Sequence, residues 1–402
     1  MLLAWANLTH DRRKFALSVL GVGFAVVLMF VQLGFRGGLL DAQTLLPERF
    51  VADLVLVSPG RQMVASREAF PRRRLEQAAA VPGVGTVRPL YLDFAPLRDT
   101  RPDERGRAPN RLIRVIGLDP EAGLLTVPEL DPADGRYLGA NLREPGAALY
   151  DRRSRPGGGD GGSVFGPLAA GLTTELAGRR LTLVGGYDLG ADFTADGTLI
   201  VGTDTFADLL RRPYTVGAPL ADVDFGLVRL AAGADLERVR QRLTADLARG
   251  ETADPDVLVL TPAELAGRER AFWLANTPIG FAFGFGLVMG FAVGLVICYQ
   301  ILSGDVADRL PEYATLKAIG HPNRTLAAVV LYQAVILAVG GYVGGLVVSA
   351  AAYWGLAGLT GLPLRLTLTR AGLVAAAALV MCVGSGMLAV RRLLRADPAD
   401  VF

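Results

Sequence analysis

Asp305-Val-Ala-Asp-Arg-Leu-Pro-Glu-Tyr-Ala-Thr-Leu-Lys-Ala-Ile-Gly-His-Pro-Asn-Arg324 is a polar island between two long apolar runs. Gly320 followed by His321-Pro322 reads as a helix stop. Before it, Leu310, Ala314 and Ala318 line one side of a short helix at four-residue spacing. Asp308, Arg309 and Glu312 share the other side with Leu316 and Ile319. A helix this brief, held between two apolar runs, would rest its small apolar side under a bilayer. Its mixed side would be open to a groove on a soluble partner. An ordinary interfacial surface helix fits the same pattern.

Four apolar runs surround this island: Phe15–Phe35, Ala275–Leu302, Thr325–Tyr353 and Gly372–Val390. Each is long enough for a hydrocarbon core. Hydrophobic residues make up 51% of the chain, and the mean hydropathy is +0.37, high for an ordinary soluble protein. The first run follows Asp11-Arg12-Arg13-Lys14. It exceeds the apolar core of a usual signal peptide, and Arg36-Gly-Gly follows it instead of a small-residue cleavage site, so an uncleaved anchor is expected. Residues 1–14, with Trp5 among apolar neighbours, read as an amphipathic elbow helix on the membrane face. The second run carries Asn276-Thr277-Pro278 near one end. Its helix either begins at Pro278 or continues outward as a stalk.

Lys and Arg near the span ends set the topology. Arg12, Arg13 and Lys14 precede the first span. Arg309, Lys317 and Arg324 lie between the second and third, and Arg391, Arg392 and Arg395 follow the fourth. All three groups belong on the cytoplasmic side; Arg36, Arg365 and Arg370 oppose this weakly. Both termini are then cytoplasmic and the long middle segment lies outside.

That segment, 36–274, has the composition of a water-soluble α+β domain. Strands are predicted at Asp53–Val57, Val84–Leu92, Arg111–Leu118, Ala147–Tyr150, Leu181–Gly185, Thr198–Val201, Asp224–Leu230 and Val257–Leu260. Helices are predicted at Arg73–Ala80 and Asp235–Ala248, the second with Leu236, Val239, Leu243 and Leu247 at helical spacing. Pro156-Gly-Gly-Gly-Asp-Gly-Gly162 is a flexible loop; no lysine follows to make it a phosphate cradle.

Several chemistries are excluded. The two histidines, His10 and His321, and the two cysteines, Cys298 and Cys382, all lie outside the middle segment. No metal cluster of His and Cys and no Ser–His–Asp triad can form there. Cys298 and Cys382 read as small buried apolar residues. No Gly-Lys-Ser/Thr sequence occurs, so any ATP and magnesium would be bound by another subunit; the chain is expected to hold no cofactor or metal and not to be an enzyme by itself. A net charge of +2 gives no field for nucleic acid. The span interiors carry no charges, against a proton-coupled carrier. Gln32 reads as a helix–helix hydrogen-bonding residue. Gly280, Gly284, Gly290 and Gly294 in the second span, with Gly286, and Gly340 and Gly344 in the third, with Gly341 and Gly345, read as close-packing faces. They serve either packing within the chain or a dimer seam.

Arg309-x-x-Glu312-x-x-x-Leu316-Lys317-Ala318-Ile319-Gly320 resembles the coupling loop of FtsX/MacB-type ABC permeases. The longer phrase Arg309-Leu-Pro-Glu-Tyr-Ala-Thr-Leu-Lys-Ala-Ile-Gly320 is similar to their heterocyst-type (DevC-like) exporter branch. So are Ala16-Leu-Ser-Val-Leu-Gly-Val-Gly-Phe-Ala-Val-Val-Leu-Met-Phe-Val-Gln-Leu-Gly-Phe-Arg-Gly37 and the ending of basic residues followed by Asp397-Pro. The resemblance runs the length of the chain. It implies a membrane protein of four transmembrane α-helices with a large MacB-like extracytoplasmic α+β domain between helices 1 and 2. That domain would have a porter-like lobe at about 48–118 and 226–262 and an inserted lobe at about 119–225. The full division is then 1–14 elbow, 15–35 first span, 36–274 outer domain, 275–302 second span, 303–324 coupling loop, 325–353 third span, 354–371 outer turn, 372–390 fourth span and 391–402 cytoplasmic tail.

The resemblance also implies an inner-membrane permease subunit that dimerises and binds an ABC ATPase through Arg309, Glu312, Tyr313, Leu316, Lys317, Ile319 and Gly320. In the exporter branch it would act with a periplasmic adaptor (membrane fusion protein) and an outer-membrane channel on a lipid or other amphiphile. Two other readings share the plan: an FtsX-like regulator of an extracytoplasmic hydrolase, and a lipoprotein-extracting permease.

Overall fold

A computed structural model describes residues 12–101, 108–157, 162–209, 220–248, 256–320 and 322–395. Most of the expected elbow, the tip of the Gly-rich loop, His321 and the end of the tail fall outside these residues. The chain forms two compact units. One comprises Leu39–Thr277 with Gly358–Pro363; the other holds the remaining helices.

Among the described residues of the first unit eleven strands run in the order β1 Leu54–Val57, β2 Phe70–Pro71, β3 Val84–Arg98, β4 Asn110–Leu118, β5 Ala147–Asp151, β6 Thr173–Leu176, β7 Arg179–Tyr187, β8 Thr198–Gly202, β9 Asp222–Val223, β10 Phe225–Leu230 and β11 Leu258–Leu260. Nine form one sheet, β11-β1-β10-β3-β4-β8-β5-β7-β6, and β2 pairs β9. The fifteen-residue β3 joins its two halves. Up to Leu90 it pairs antiparallel with β10; from Tyr91 it pairs with β4. The segment expected as an inserted lobe thus supplies β5 to β8 to the same sheet that carries the porter-like strands. Leu97 of β3 meets Leu176 of β6, which closes the second half into a ring and removes an open edge. Leu97, Ile113, Val115, Leu176, Leu181, Leu183 and Leu199 fill a shared core.

The helices of this unit follow local signals. α2 (Arg73–Ala79) and α4 (Leu236–Leu247) match the predicted helices. Asp235 caps α4 by accepting from the Arg238 N–H at 2.7 Å, and Val239, Leu243 and Leu247 are its buried stripe. Two helices absent from the sequence reading are α3 (Thr203–Leu209) and α5 (Pro262–Asn276). α5 opens on a capping box: Thr261 and Glu264 bond each other's backbone N–H, with Pro262 in the first turn.

α5 also buries Glu269, whose carboxylate accepts from the Val64 N–H at 2.6 Å and the Trp273 indole at 2.8 Å. Burial pushes this carboxyl up to about 6 from its ordinary 4.5. The two donors and Arg114 hold it down, and Asp192 adds to the rise. An acid whose folded pKa is raised keeps its proton more readily in the folded state, so stability is lost as pH rises from about 4.5 through about 6. The penalty above that window is about 2 kcal/mol. Glu269→Gln should abolish this pH dependence. Urea unfolding of the detergent-solubilised chain, followed by Trp273 fluorescence after replacing Trp5 and Trp354 by Phe, should show wild type gaining on the variant between pH 7 and pH 4.5. Parallel pH profiles would refute the assignment.

Among the described residues four helices are long and apolar enough to cross a membrane: α1 (Arg12–Gln43), α6 (Pro278–Asp308), α8 (Asn323–Thr360) and α9 (Leu368–Arg395, its apolar stretch ending at Arg391); apart from the last residues of α1 and α8 they lie in the second unit. All four are longer than the predicted runs. Ala275 does not begin the second of them. It belongs to α5, and Thr277 is extended (φ −125°, ψ 154°) because the residue before a proline avoids the helical region. α8 continues past Tyr353 to Thr360, into the segment expected as a turn.

Glycine contacts divide the predicted faces. A Cβ on Gly290 would lie 3.6 Å from Leu28 and Met29, one on Gly294 would lie 2.7 Å from Ala25, and one on Gly340 would lie 3.3 Å from Val19. These three pack within the chain, Gly290 and Gly340 against α1 and Gly294 against both Ala25 of α1 and Met381 of α9. Gly284 and Gly344 meet nothing within 4 Å. α8 approaches α1 through Gly345, whose Cβ would lie 3.0 Å from the Gly23 carbonyl, and Gly341, 3.1 Å from the Gly23 nitrogen. The Gln32 amide lies over Gly286. Cys298 and Cys382 are buried with their sulfurs 3.2 Å apart, joining α6 to α9. The Ser385 hydroxyl donates to the Leu295 carbonyl at 2.8 Å beside them.

Candidate functional site

The polar island folds as α7, Leu310–Ala318. Arg309 alone separates it from α6, with φ −107° and ψ 13° breaking the helix. Pro311 occupies the first turn, where its missing N–H costs nothing. Glu312 in that turn and Lys317 in the last complement the helix dipole. The Thr315 hydroxyl donates to the Pro311 carbonyl at 2.9 Å. At the far end the Ile319 N–H donates to the Thr315 carbonyl at 3.0 Å and the Gly320 N–H to Lys317 at 3.1 Å. Gly320 has φ +100°, a left-handed conformation that suits glycine as the stop.

Two faces result. Glu312 and Ile319 are exposed, Ile319 at 73% and the Glu312 side chain at 66%. The Arg309 guanidinium lies 3.8 Å from the Glu312 carboxylate and is mostly covered. Lys317 is partly exposed. The side chain of Leu316 lies outside the described residues, as do those of Ala314 and Ala318. Just before α7, Lys14 and Asp308 form an exposed ion pair at 2.9 Å.

Tyr313 corrects the sequence-based grouping. It is 3% exposed and shares a buried cluster with Leu302 and Val306 of α6, Leu326 and Val330 of α8, and Ala389 and Val390 of α9; Leu310 packs against the same cluster. Burial pushes its phenol up to about 12, with the Arg309 charge acting in the opposite sense. An aromatic ring three residues from Leu310 falls on the helix side that faces the bundle, so Tyr313 is an anchor and not part of the open face.

Four long apolar helices and an α+β domain between the first two define a membrane-embedded protein with a large extracytoplasmic domain. Residues 15–246 match the MacB-like periplasmic core domain, and residues 284–398 match the FtsX-like permease C-terminal region. The chain belongs to the FtsX/MacB family of ABC permeases, whose members work with an ABC ATPase partner. Among solved structures it is similar to the extracellular domain of the noncanonic ABC-type transporter YknZ from Gram-positive bacteria, at 13% identity and a TM-score of 0.34, over 52% of this chain and 99% of that one. It is also similar to the periplasmic region of MacB from Actinobacillus actinomycetemcomitans, at 10% identity and a TM-score of 0.37, over 55% of this chain and 92% of that one. A search of curated proteins found no match.

Proposed function

We propose that this chain is the permease subunit of a DevC-like ABC exporter that passes the ATP-driven movement of a partner ATPase to its extracytoplasmic domain. The observation that carries the reading is α7: a short helix fastened to the membrane bundle on one side, with Glu312 and Ile319 open on the other. Arg309, Lys317 and Gly320 support that open face through an ion pair, a dipole match and a stop, and Leu316 falls on it by helical spacing. ATP and magnesium belong to the partner.

The permease works as a homodimer whose seam is α6. Of the four apolar helices it is the least covered by the rest of the chain. Phe281, Phe285, Val288 and Val296 form an exposed stripe along it, with Phe281 and Phe285 stacked at 5.9 Å and Gly284 open between them. Such a small-residue and aromatic stripe suits close approach of a second helix. A periplasmic adaptor and an outer-membrane channel complete the exporter, and the cargo is a lipid or other amphiphile.

The purified chain should hydrolyse no ATP and should retain a P-loop subunit from its own membranes. Hydrolysis by a preparation free of any other protein, or failure to hold such a subunit, would overturn the reading. A co-purifying cell-wall hydrolase in place of an adaptor would shift it from export to regulation. Orientation is tested in a Cys298→Ser, Cys382→Ser background. An impermeant thiol reagent should label Gly159→Cys in intact spheroplasts and leave Ala396→Cys untouched. The reverse pattern would sink the assigned topology.

A further inference from the structure

We infer that Tyr313 is the positioning residue that divides the movement of α7 among three membrane helices, an inference that rests on the coupling role proposed above. The two ends of α7 are tied unequally. At its start a single residue, Arg309, joins it to α6. At its end Ile319, Gly320, His321 and Pro322 intervene before α8, and Gly320 is left-handed. A displacement of α7 therefore reaches α6 directly through the main chain, and α8 only through a longer connection.

The Tyr313 ring supplies the missing linkage. It belongs to the buried cluster that also takes in Leu302 and Val306 of α6, Leu326 and Val330 of α8, and Ala389 and Val390 of α9. Close-packed interiors transmit displacement because they have little room to absorb it. The hydroxyl is buried with no hydrogen-bond partner among the described residues. The ring is thus the part that acts, and phenylalanine should replace it.

The same face shows why this is not an ATPase contact. Glu312 and Ile319 are open, whereas Tyr313 is closed off by the bundle. Binding and transmission are therefore separable by substitution within one short helix.

The test uses the full-length chain reconstituted with the P-loop subunit recovered above. In the Cys298→Ser, Cys382→Ser background, impermeant maleimide applied to inside-out vesicles should label Glu312→Cys and Ile319→Cys at least tenfold faster than Tyr313→Cys. With both native cysteines present, Tyr313→Ala should keep subunit affinity within about twofold but lose at least fivefold of the permease-dependent change in ATP hydrolysis. Tyr313→Phe should keep both, and Tyr313→Leu should fall between. Oxidative cross-linking of Cys298 to Cys382 in each variant shows that the bundle is still assembled. The inference is overturned if Tyr313→Ala keeps full coupling, if it weakens subunit binding as Glu312→Arg does, or if Tyr313→Phe fails as alanine does. A wild-type chain that binds no such subunit, or leaves its hydrolysis unchanged, would instead remove the coupling role itself.

Discussion

Asp224→Ala is expected to destabilise the extracytoplasmic domain by about 3–5 kcal/mol, the cost of breaking a buried ion pair from one side. Asp224 lies between β9 and β10, and Arg61 lies in the loop after β1. Both side chains are closed to solvent, with Arg61 Nη2 2.5 Å from Asp224 Oδ1. The other carboxylate oxygen accepts from the Leu92 N–H at 2.9 Å. The guanidinium also donates to the Glu68 carbonyl at 2.9 Å and the Val64 carbonyl at 2.7 Å, and it lies 4.6 Å from the centre of the Phe225 ring. A carboxylate, two carbonyls and an aromatic ring thus surround one charge. Removing the carboxylate strands a full positive charge in a site with little access to water.

Domain stabilities of about 5–15 kcal/mol leave little margin for that loss. Lower yield and an earlier urea transition, read from Trp273 fluorescence, are the expected signs. Arg61→Met combined with Asp224→Ala should recover part of the loss, because the stranded charge is gone. A single variant within about 1 kcal/mol of wild type would show that the pair carries no such weight.

That pair was not legible in the sequence. Its members are 163 positions apart, and no local pattern joins them. What could be read was periodic. The eight predicted strands correspond to β1, β3, β4, β5, β7, β8, β10 and β11, where apolar and β-branched residues run together. β2 and β9 are two residues each, too short to show a period, and β6 (Thr173–Leu176) has polar Thr and Glu at three of its four positions. α5 was hidden by the charges of Glu264, Arg268, Glu269 and Arg270, although Thr261 and Glu264 carried a capping-box signal.

In the membrane helices, composition revealed the glycine-rich faces but not their partners. Gly290, Gly294 and Gly340 pack inside the chain, whereas Gly284 and Gly344, drawn from the same repeats, do not. α7 was legible as a helix with a stop at Gly320. Its inward side was legible through Leu310; the family resemblance places Tyr313 among the ATPase-coupling residues, whereas its three-residue spacing from Leu310 puts it on the inward side.

Ile319→Asp and Glu312→Arg are expected to weaken binding of the ATPase subunit by at least about 30-fold, a loss of about 2 kcal/mol or more for a central interface residue. Ile319 is a large apolar side chain left 73% exposed at the end of α7, beside the stop that fixes its position. Covering it with a partner removes apolar surface from water, worth about 1.5–3 kcal/mol for full burial. An aspartate there would lose that gain and lose hydration as the groove closed, which makes the larger loss the more natural result. Glu312 occupies the same face. Its reversal replaces the charge that Arg309 faces at 3.8 Å with a like charge, so both the partner and the permease's own arginine are repelled.

Leu316→Asp should behave as Ile319→Asp does, since the two lie on one face at helical spacing. Neither Ile319→Asp nor Glu312→Arg should disturb insertion, because both side chains are open and neither belongs to the buried cluster that holds Tyr313. A loop that merely joins two membrane helices would give changes within about 0.5 kcal/mol. The measurement is affinity between the purified subunit and the detergent-solubilised chain, with Cys298–Cys382 cross-linking as the control for an intact bundle. Normal binding by Ile319→Asp and Glu312→Arg together would mean that the ATPase docks elsewhere, and α7 would lose its role as the coupling helix.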